Sequence, residues 1–189
     1  LAQRLRELAF LNAGLEINLS DERSGKSHQF LYEGGIASFV EHLNLNKQAL
    51  FDKPIHIVQE VEVEGRRVHV EVALQYNDTY DELVFAFANN INNRDGGSHV
   101  VGFRGALTRT INSYAQRNNL WKDLKESPAG EDTREGLVAV LSVKLPNPQF
   151  DSQTKGKLIN PEMKGVVEGV VNDRLGQFFE ENPAFARRI

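Results

Sequence analysis

The run from Ile55 to Asp78, IHIVQEVEVEGRRVHVEVALQYND, constrains the fold more than any other part of this chain. Val58, Val61, Val63, Val68, Val70 and Val72 supply β-branched residues in two alternating stretches, and Glu64-Gly65 separates them. Alternation at a period of two suits a pleated strand, and a short glycine-containing break between two such stretches is the mark of a hairpin. A long antiparallel hairpin is therefore expected, and with it a sheet that the other elements must cover.

Those elements can be read in order. LAQRLRELAFLNAG reads as a helix, with Leu1, Leu5, Leu8 and Leu11 on one face and Gly14 as its stop. Leu15–Leu19 and His28–Tyr32 alternate on either side of DERSGK, which predicts a first, smaller hairpin. Ile36, Phe39, Val40 and Leu43 recur at helical spacing. Leu83–Ala88 is continuously apolar, as a strand covered on both faces is, and Leu137–Leu145 reads as a buried strand. Between them the spacing of Val100, Phe103, Leu107, Ile111 and Tyr114 predicts a long helix from Ser98 to about Asn119, with Ser98 as N-cap. LWKDLKESPAGEDTREG reads as a surface loop. Residues 161–181 predict a last long helix, with Asn160 as N-cap and Pro161 in the first position. Its apolar face is wider than one neighbour needs, so it is expected to pack on the sheet and on something outside this chain. The sum is an α+β, two-layer α/β fold, a mixed sheet with helices on one face.

The 189 residues, 40% of them hydrophobic, suit one domain and are too few for two comfortable ones, so a single domain over 1–189 is expected. The first residue is Leu1 and the one methionine is Met163, which leads us to expect a piece of a longer protein or a processed product. With no cysteine, a disulfide framework, a thiolate metal site and a cysteine nucleophile are all excluded. No apolar run approaches the roughly 20 residues of a membrane span, and a soluble protein without a membrane partner is expected. The net charge of −4 argues against a polycation that coats nucleic acid, so any DNA contact must be a local patch.

Two stretches carry residues suited to anions. FDSQTKGKL, from Phe150 to Leu158, leaves a buried strand and offers the Gln153 carboxamide, the Thr154 hydroxyl and the Lys155 and Lys157 ammoniums. It lacks the glycines of a Walker A loop. Lysine meets phosphate as a mobile point charge, and glutamine can donate to a phosphate oxygen or orient a water. The same residue types equally describe a solvated loop with a lysine pair, and they do not separate Lys155 from Lys157. The second stretch, NNINNRDGGSHVVGFRGALTRT, brings a Gly-Gly pair to a helix N-terminus with Arg94, His99, Arg104 and Arg109 nearby. Solvated arginines on an amphipathic helix explain it as well. His99 is expected at the surface or in a cap, and no metal site is expected because no partner sits at ligand spacing. Glu60, Glu62 and Glu64 read as the solvated face of an edge strand.

Taken together, LAQRLRELAFLN, FLYEGGIASFVEHLN, VHVEVALQYND, GGSHVVGFRGALTR, LSVKLPNPQFDSQTKGKL and ENPAFARRI resemble the transducer domain of the B subunit of bacterial DNA gyrase, a type IIA topoisomerase of the GHKL ATPase family. The resemblance runs along essentially the whole chain in order. The equivalent domain of the B subunit of topoisomerase IV is the alternative, and YEGGI, VEVALQYND and ENPAFARRI favour gyrase. A reading from another class is a non-catalytic module that binds RNA or a protein through the same fold.

The family resemblance implies a left-handed βαβ crossover, shared with a domain of a small-subunit ribosomal protein. It implies that residues 1–14 enter from an ATPase domain and that 161–181 exit towards the cleavage core, so that nucleotide state is relayed to DNA strand passage. On the motif match, Gln153 and Lys155 contact the ATP γ-phosphate, Lys155 being the catalytic contact, while Lys157 takes no part. Arg104 of the GFR stretch lines the cavity through which the transported DNA passes. ATP and Mg2+ serve the intact enzyme and are not held by this chain alone, which is expected to be inactive by itself. DNA, the A subunit of gyrase and a second copy of the B subunit of gyrase are the implied partners, in the bacterial cytoplasm at the nucleoid.

Overall fold

The computed structural model describes residues 1–122 and 126–189. Thirteen elements follow one another among them, α1 (Ala2–Leu11), β1 (Ile17–Asp21), β2 (Lys26–Phe30), α2 (Gly35–Leu43), β3 (Ile55–Val63), β4 (Arg66–Tyr76), β5 (Leu83–Ala88), β6 (Ile91–Asn92), α3 (Ser98–Arg117), a 3-10 turn (Asp132–Arg134), β7 (Leu137–Lys144), α4 (Glu162–Glu181) and α5 (Pro183–Ala186). Five strands form a mixed sheet in the order β3-β4-β7-β5-β6, and β1 and β2 form a separate hairpin. Part of the surface-loop reading, residues 123–125, lies outside the described residues.

The long hairpin is present as the alternation predicts. Glu64 and Gly65 both have positive φ, the conformation that a tight turn matched to the strand twist requires. Nine residue pairs join β3 to β4, from Ile55 opposite Leu74 to Val63 opposite Arg66. A second tight turn stands where the sequence shows only a polar loop. Asn89 and Asn90 also have positive φ, and they fold β5 back onto the two-residue strand β6. β5 and β7 run parallel, with α3 in the connection between them, which makes the β5-α3-β7 crossover a βαβ unit.

Helices lie on both faces of the sheet, which corrects the expectation of helices on one. Val70, Val72, Leu74, Leu141 and Val143 point to the face covered by α3 and α4. Ala73, Phe87, Val138 and Val140 point the other way, to Phe10 of α1 and Ile36, Phe39 and Val40 of α2. Because β7 has both faces covered, every residue from Leu137 to Val143 is buried. On the α1–α2 face, Phe10 stacks on Tyr32 at 3.7 Å and on Phe39 at 4.7 Å between ring centres. The buried end of α1 is thus Ala9, Phe10 and Leu11, while Leu1 is exposed.

The wide apolar face of α4 finds its second neighbour inside the chain. Met163, Val167, Val170, Val171, Leu175 and Phe179 are buried in the same core as Val100, Phe103, Leu107 and Tyr114 of α3. The two helices lie in close backbone contact at Gly102, where a Cβ would collide with the backbone carbonyl of Lys164. Thr110 Oγ1 donates to Asn172 Oδ1 across the same interface at 3.1 Å, and Arg109 forms an ion pair with Glu168.

Candidate functional site

Residues 150–158 leave β7 through Pro146–Gln149 and return to the start of α4. The loop is closed at its base by the Asp151 amide, which donates to the Lys157 carbonyl at 3.2 Å, and by a bridge between Phe150 and Leu158. At its tip the Lys155 amide donates to the Ser152 carbonyl at 3.0 Å, and the Ser152 and Thr154 hydroxyls are 2.8 Å apart. Gln153 and Lys155 are both exposed there. Lys155 has φ of +57°, a left-handed conformation that costs a side-chain-bearing residue about 1–2 kcal/mol and persists only where neighbours impose it. Its ammonium lies 5.9 Å above the Phe150 ring, a cation–π placement open to water.

The neighbours come from the turn between β6 and α3. The Asn93 carboxamide donates to the Lys155 carbonyl at 2.9 Å, and the Asp95 amide donates to the Gly156 carbonyl at 2.9 Å. Leu158 completes the seam, its amide donating to Gly96 O at 3.2 Å and its carbonyl accepting from Ser98 N at 3.0 Å. Gly97 is required at this seam, since a Cβ there would lie 2.5 Å from the Leu158 carbonyl oxygen. The two anion candidates that are separate in the sequence, FDSQTKGKL and the Gly-Gly turn, are therefore one backbone-bonded unit.

This seam also corrects the reading of two caps. Ser98 is the first residue of α3 rather than its N-cap, and its hydroxyl is buried without a partner among the described residues, while its own amide is bonded to Leu158. Asn160 does not cap α4 with its side chain. Its Oδ1 accepts from Gln149 N at 2.6 Å and its Nδ2 donates to Asn147 O at 3.2 Å and to Glu162 Oε1 at 2.9 Å, which ties the foot of the loop instead. His99 is fully buried, not at the surface, and burial pushes its pKa down to about 4.

Beside the loop, a cleft of about 610 Å3 is lined by Leu1, by Arg4 and Glu7 of α1, by Arg94 and Asp95, and by Thr154 and Gly156. Arg4 is already engaged, donating to Asn90 O at 2.6 Å and to Glu7 Oε2 at 3.1 Å. Arg94 is exposed on the rim. Arg104 does not line this cleft. It sits nearly two turns into α3, half-exposed, and its Nε donates to Glu82 Oε1 at 2.8 Å, while Arg134 Nε takes the other oxygen of the same carboxylate at 3.1 Å. Tyr76 borders this triad by donating to Thr133 O at 2.7 Å. Asn93, Asp95 and Glu82 carry no signal in the sequence, since an Asn or Glu in a polar loop has no periodicity to betray it.

Comparison with known proteins gives the family. The profile of the DNA gyrase B family matches residues 35–189, most of the chain. The chain belongs to that family. The B subunit of DNA gyrase from Myxococcus xanthus is 61% identical over all 189 residues, which make up 23% of that protein. The B subunit of DNA gyrase from Clostridium acetobutylicum is 49% identical over the whole chain and 29% of its own length. The chain thus spans about a quarter of the length of these curated relatives. Among solved structures, the 43K ATPase domain of Thermus thermophilus gyrase B, crystallised with an aminocoumarin, superposes with a TM-score of 0.87 at 42% identity, over 98% of this chain and 49% of that one. The topoisomerase IV ATP-binding domain of Francisella tularensis superposes with 0.78 at 26%, over 99% of this chain and 49% of that one. Of these two structures, the gyrase domain is the more similar in sequence.

Proposed function

We propose that this chain is the transducer domain of the gyrase B protein, the part that relays ATP binding and hydrolysis to the passage of one DNA duplex through another. The observation that carries the reading is the seam between the loop that presents Gln153 and Lys155 and the first turn of α3, the helix that bears Arg104. Gln153 and Lys155 donate to the γ-phosphate of ATP held by a domain elsewhere in the full-length protein, and Arg104 meets the transported DNA. The exposed tip fits a phosphate, offering a carboxamide and an ammonium with a glycine beside them that adds no side chain. Bound ATP supplies the phosphoryl group whose transfer releases energy. Among the described residues no group of three or more His, Cys, Asp or Glu side chains could hold a metal ion, and in this reading Mg2+ is bound with the nucleotide.

Within the chain, Lys155 stabilises negative charge at the γ-phosphate and Gln153 orients its oxygens. When the phosphate departs, the tip loses its partner, and the change is felt at the α3 terminus to which the loop is bonded. DNA, the gyrase A protein and a second gyrase B protein complete the assembly, in the cytoplasm at the nucleoid. No helix among the described residues is long and apolar enough to cross a membrane.

The test is Lys155→Ala in full-length gyrase B assembled with gyrase A. Losing a preorganised charge contact lowers the rate by roughly 10²–10³. Turnover of ATP is expected to fall by that factor with the melting temperature unchanged, because the side chain is exposed. Hydrolysis at the parent rate would overturn the assignment.

A further inference from the structure

We infer that Asn93 is a positioning residue for Lys155, its carboxamide holding the Lys155 carbonyl and thereby fixing the left-handed backbone that decides where the ammonium points. This inference rests on the proposed role of Lys155 at the γ-phosphate.

Asn93 is buried, and its own amide donates to Ala86 O of β5 at 2.8 Å, so the side chain starts from the sheet itself rather than from a free turn. From that base Nδ2 spans 62 residues of sequence to the Lys155 carbonyl at 2.9 Å. The neighbouring peptide is fixed as well, since Asp95 N donates to Gly156 O at 2.9 Å. The Lys155 amide is tied to the Ser152 carbonyl at 3.0 Å and the Lys155 carbonyl to Asn93, so these two bonds bracket the φ and ψ of Lys155 itself. Lys155 cannot rotate back to the right-handed region without breaking one of them. A lysine free of these bonds would spend its time in the more favourable backbone well, with the ammonium directed elsewhere. The Asn93 Oδ1 is buried and without a hydrogen-bond partner among the described residues, so the bond to Lys155 is what accounts for a polar side chain at this place.

The inference separates from a merely structural role by the phosphate it affects. Lys155 meets the γ-phosphate alone, so misplacing it weakens a non-hydrolysable ATP analogue and leaves ADP untouched. In full-length gyrase B, Asn93→Leu removes the donor at similar volume, and Asn93→Asp removes it at the same shape, which covers the event that the leucine variant does not fold. One hydrogen bond of this kind corresponds to roughly a 3- to 10-fold effect. Affinity for the ATP analogue is expected to fall by that factor in either folded variant, with ADP affinity at the parent value. A parallel Lys155→Ala protein shows the larger loss on the same analogue. If Lys155→Ala weakens the analogue and the Asn93 variants do not, the positioning role is overturned while the γ-phosphate reading stands. If the Asn93 variants weaken analogue and ADP alike, Asn93 serves the fold and the inference fails. If Lys155→Ala leaves the analogue affinity unchanged, the γ-phosphate reading fails and takes this inference with it.

Discussion

His99 is a titratable base shut away from water, and neither ring nitrogen has a bond among the described residues, which has a measurable consequence. Its pKa is lowered to about 4 by burial, against 6.5 in the unfolded chain. Between those values the unfolded state binds a proton that the folded state refuses, so stability is complete above about pH 6.5 and declines as the pH falls towards 4. The loss over that window is on the order of 3 kcal/mol, at about 1.36 kcal/mol for each unit of difference. Urea titrations at about pH 7.5 and pH 5 will read the greater part of it, and His99→Phe, if it folds, flattens the difference. Equal stability at both pH values in the parent chain would contradict the burial. The sequence does not reveal this histidine, because a single polar residue opening a helix reads as a cap, and only the bonded Ser98 amide explains why no side-chain cap is needed there. Lys155 and Gln153 differ in this respect. Their proposed role at an anion follows from the family resemblance that LSVKLPNPQ and its neighbours carry, not from residue type alone, and the left-handed φ of Lys155 has no counterpart in residue type.

Among the elements, the pair α3 and α4 holds one core with the sheet, and a glycine lets their backbones touch. Gly102 lets the α3 backbone rest against the Lys164 carbonyl, so Gly102→Ala inserts a methyl where backbone already stands. A collision with backbone relaxes only if the helices separate, and a cost of about 1–3 kcal/mol is expected. Thermal unfolding of the alanine variant tests this, while Gly105→Ala on the open side of α3, where nothing lies within 4 Å, should be neutral or stabilising. A Gly102→Ala protein as stable as the parent would mean that the crossing is looser than described. The elements most legible in the sequence are those with sustained periodicity, namely the β3–β4 hairpin, α2, β5 and β7. The short strand β6 escapes because two residues carry no pattern. Its Asn89-Asn90 turn has a chemical basis in residue type, as asparagine tolerates positive φ, but within NNINNRDGGS it does not stand out from the other polar residues. The seam at Leu158 joins residues some 60 positions apart, and no local rule announces such a pairing.

At the level of the whole molecule, the sheet separates two sets of helices, and the two proposed contacts with the outside lie along α3 at different depths. Lys155 is bonded to Asn93 in the turn that leads into it, and Arg104 stands further along, held by a Glu82 carboxylate that Arg134 shares. In the proposed reading a DNA phosphate displaces Glu82 from Arg104, and an ion pair whose arginine is 44% exposed contributes about 1 kcal/mol or less to the fold. The exchange is therefore open to a polyanion. Arg104→Gln in full-length gyrase B should leave ATP-analogue affinity intact while reducing DNA-stimulated hydrolysis and supercoiling. Parent-level supercoiling by that variant would argue against Arg104 as a DNA contact.

The bond from Asp151 to Lys157 sets a limit of reach. Six peptide steps lie between the closing residues, and at roughly 3.3–3.6 Å per residue a chain that goes out and returns carries its tip about 10 Å at most from its base. The loop is a short tether. In the proposed reading, whatever holds the triphosphate must come to within that radius, plus the length of the Lys155 side chain, of the loop base, so the span between phosphate and loop base is a ruler for how far apart the two bodies stand when they are engaged.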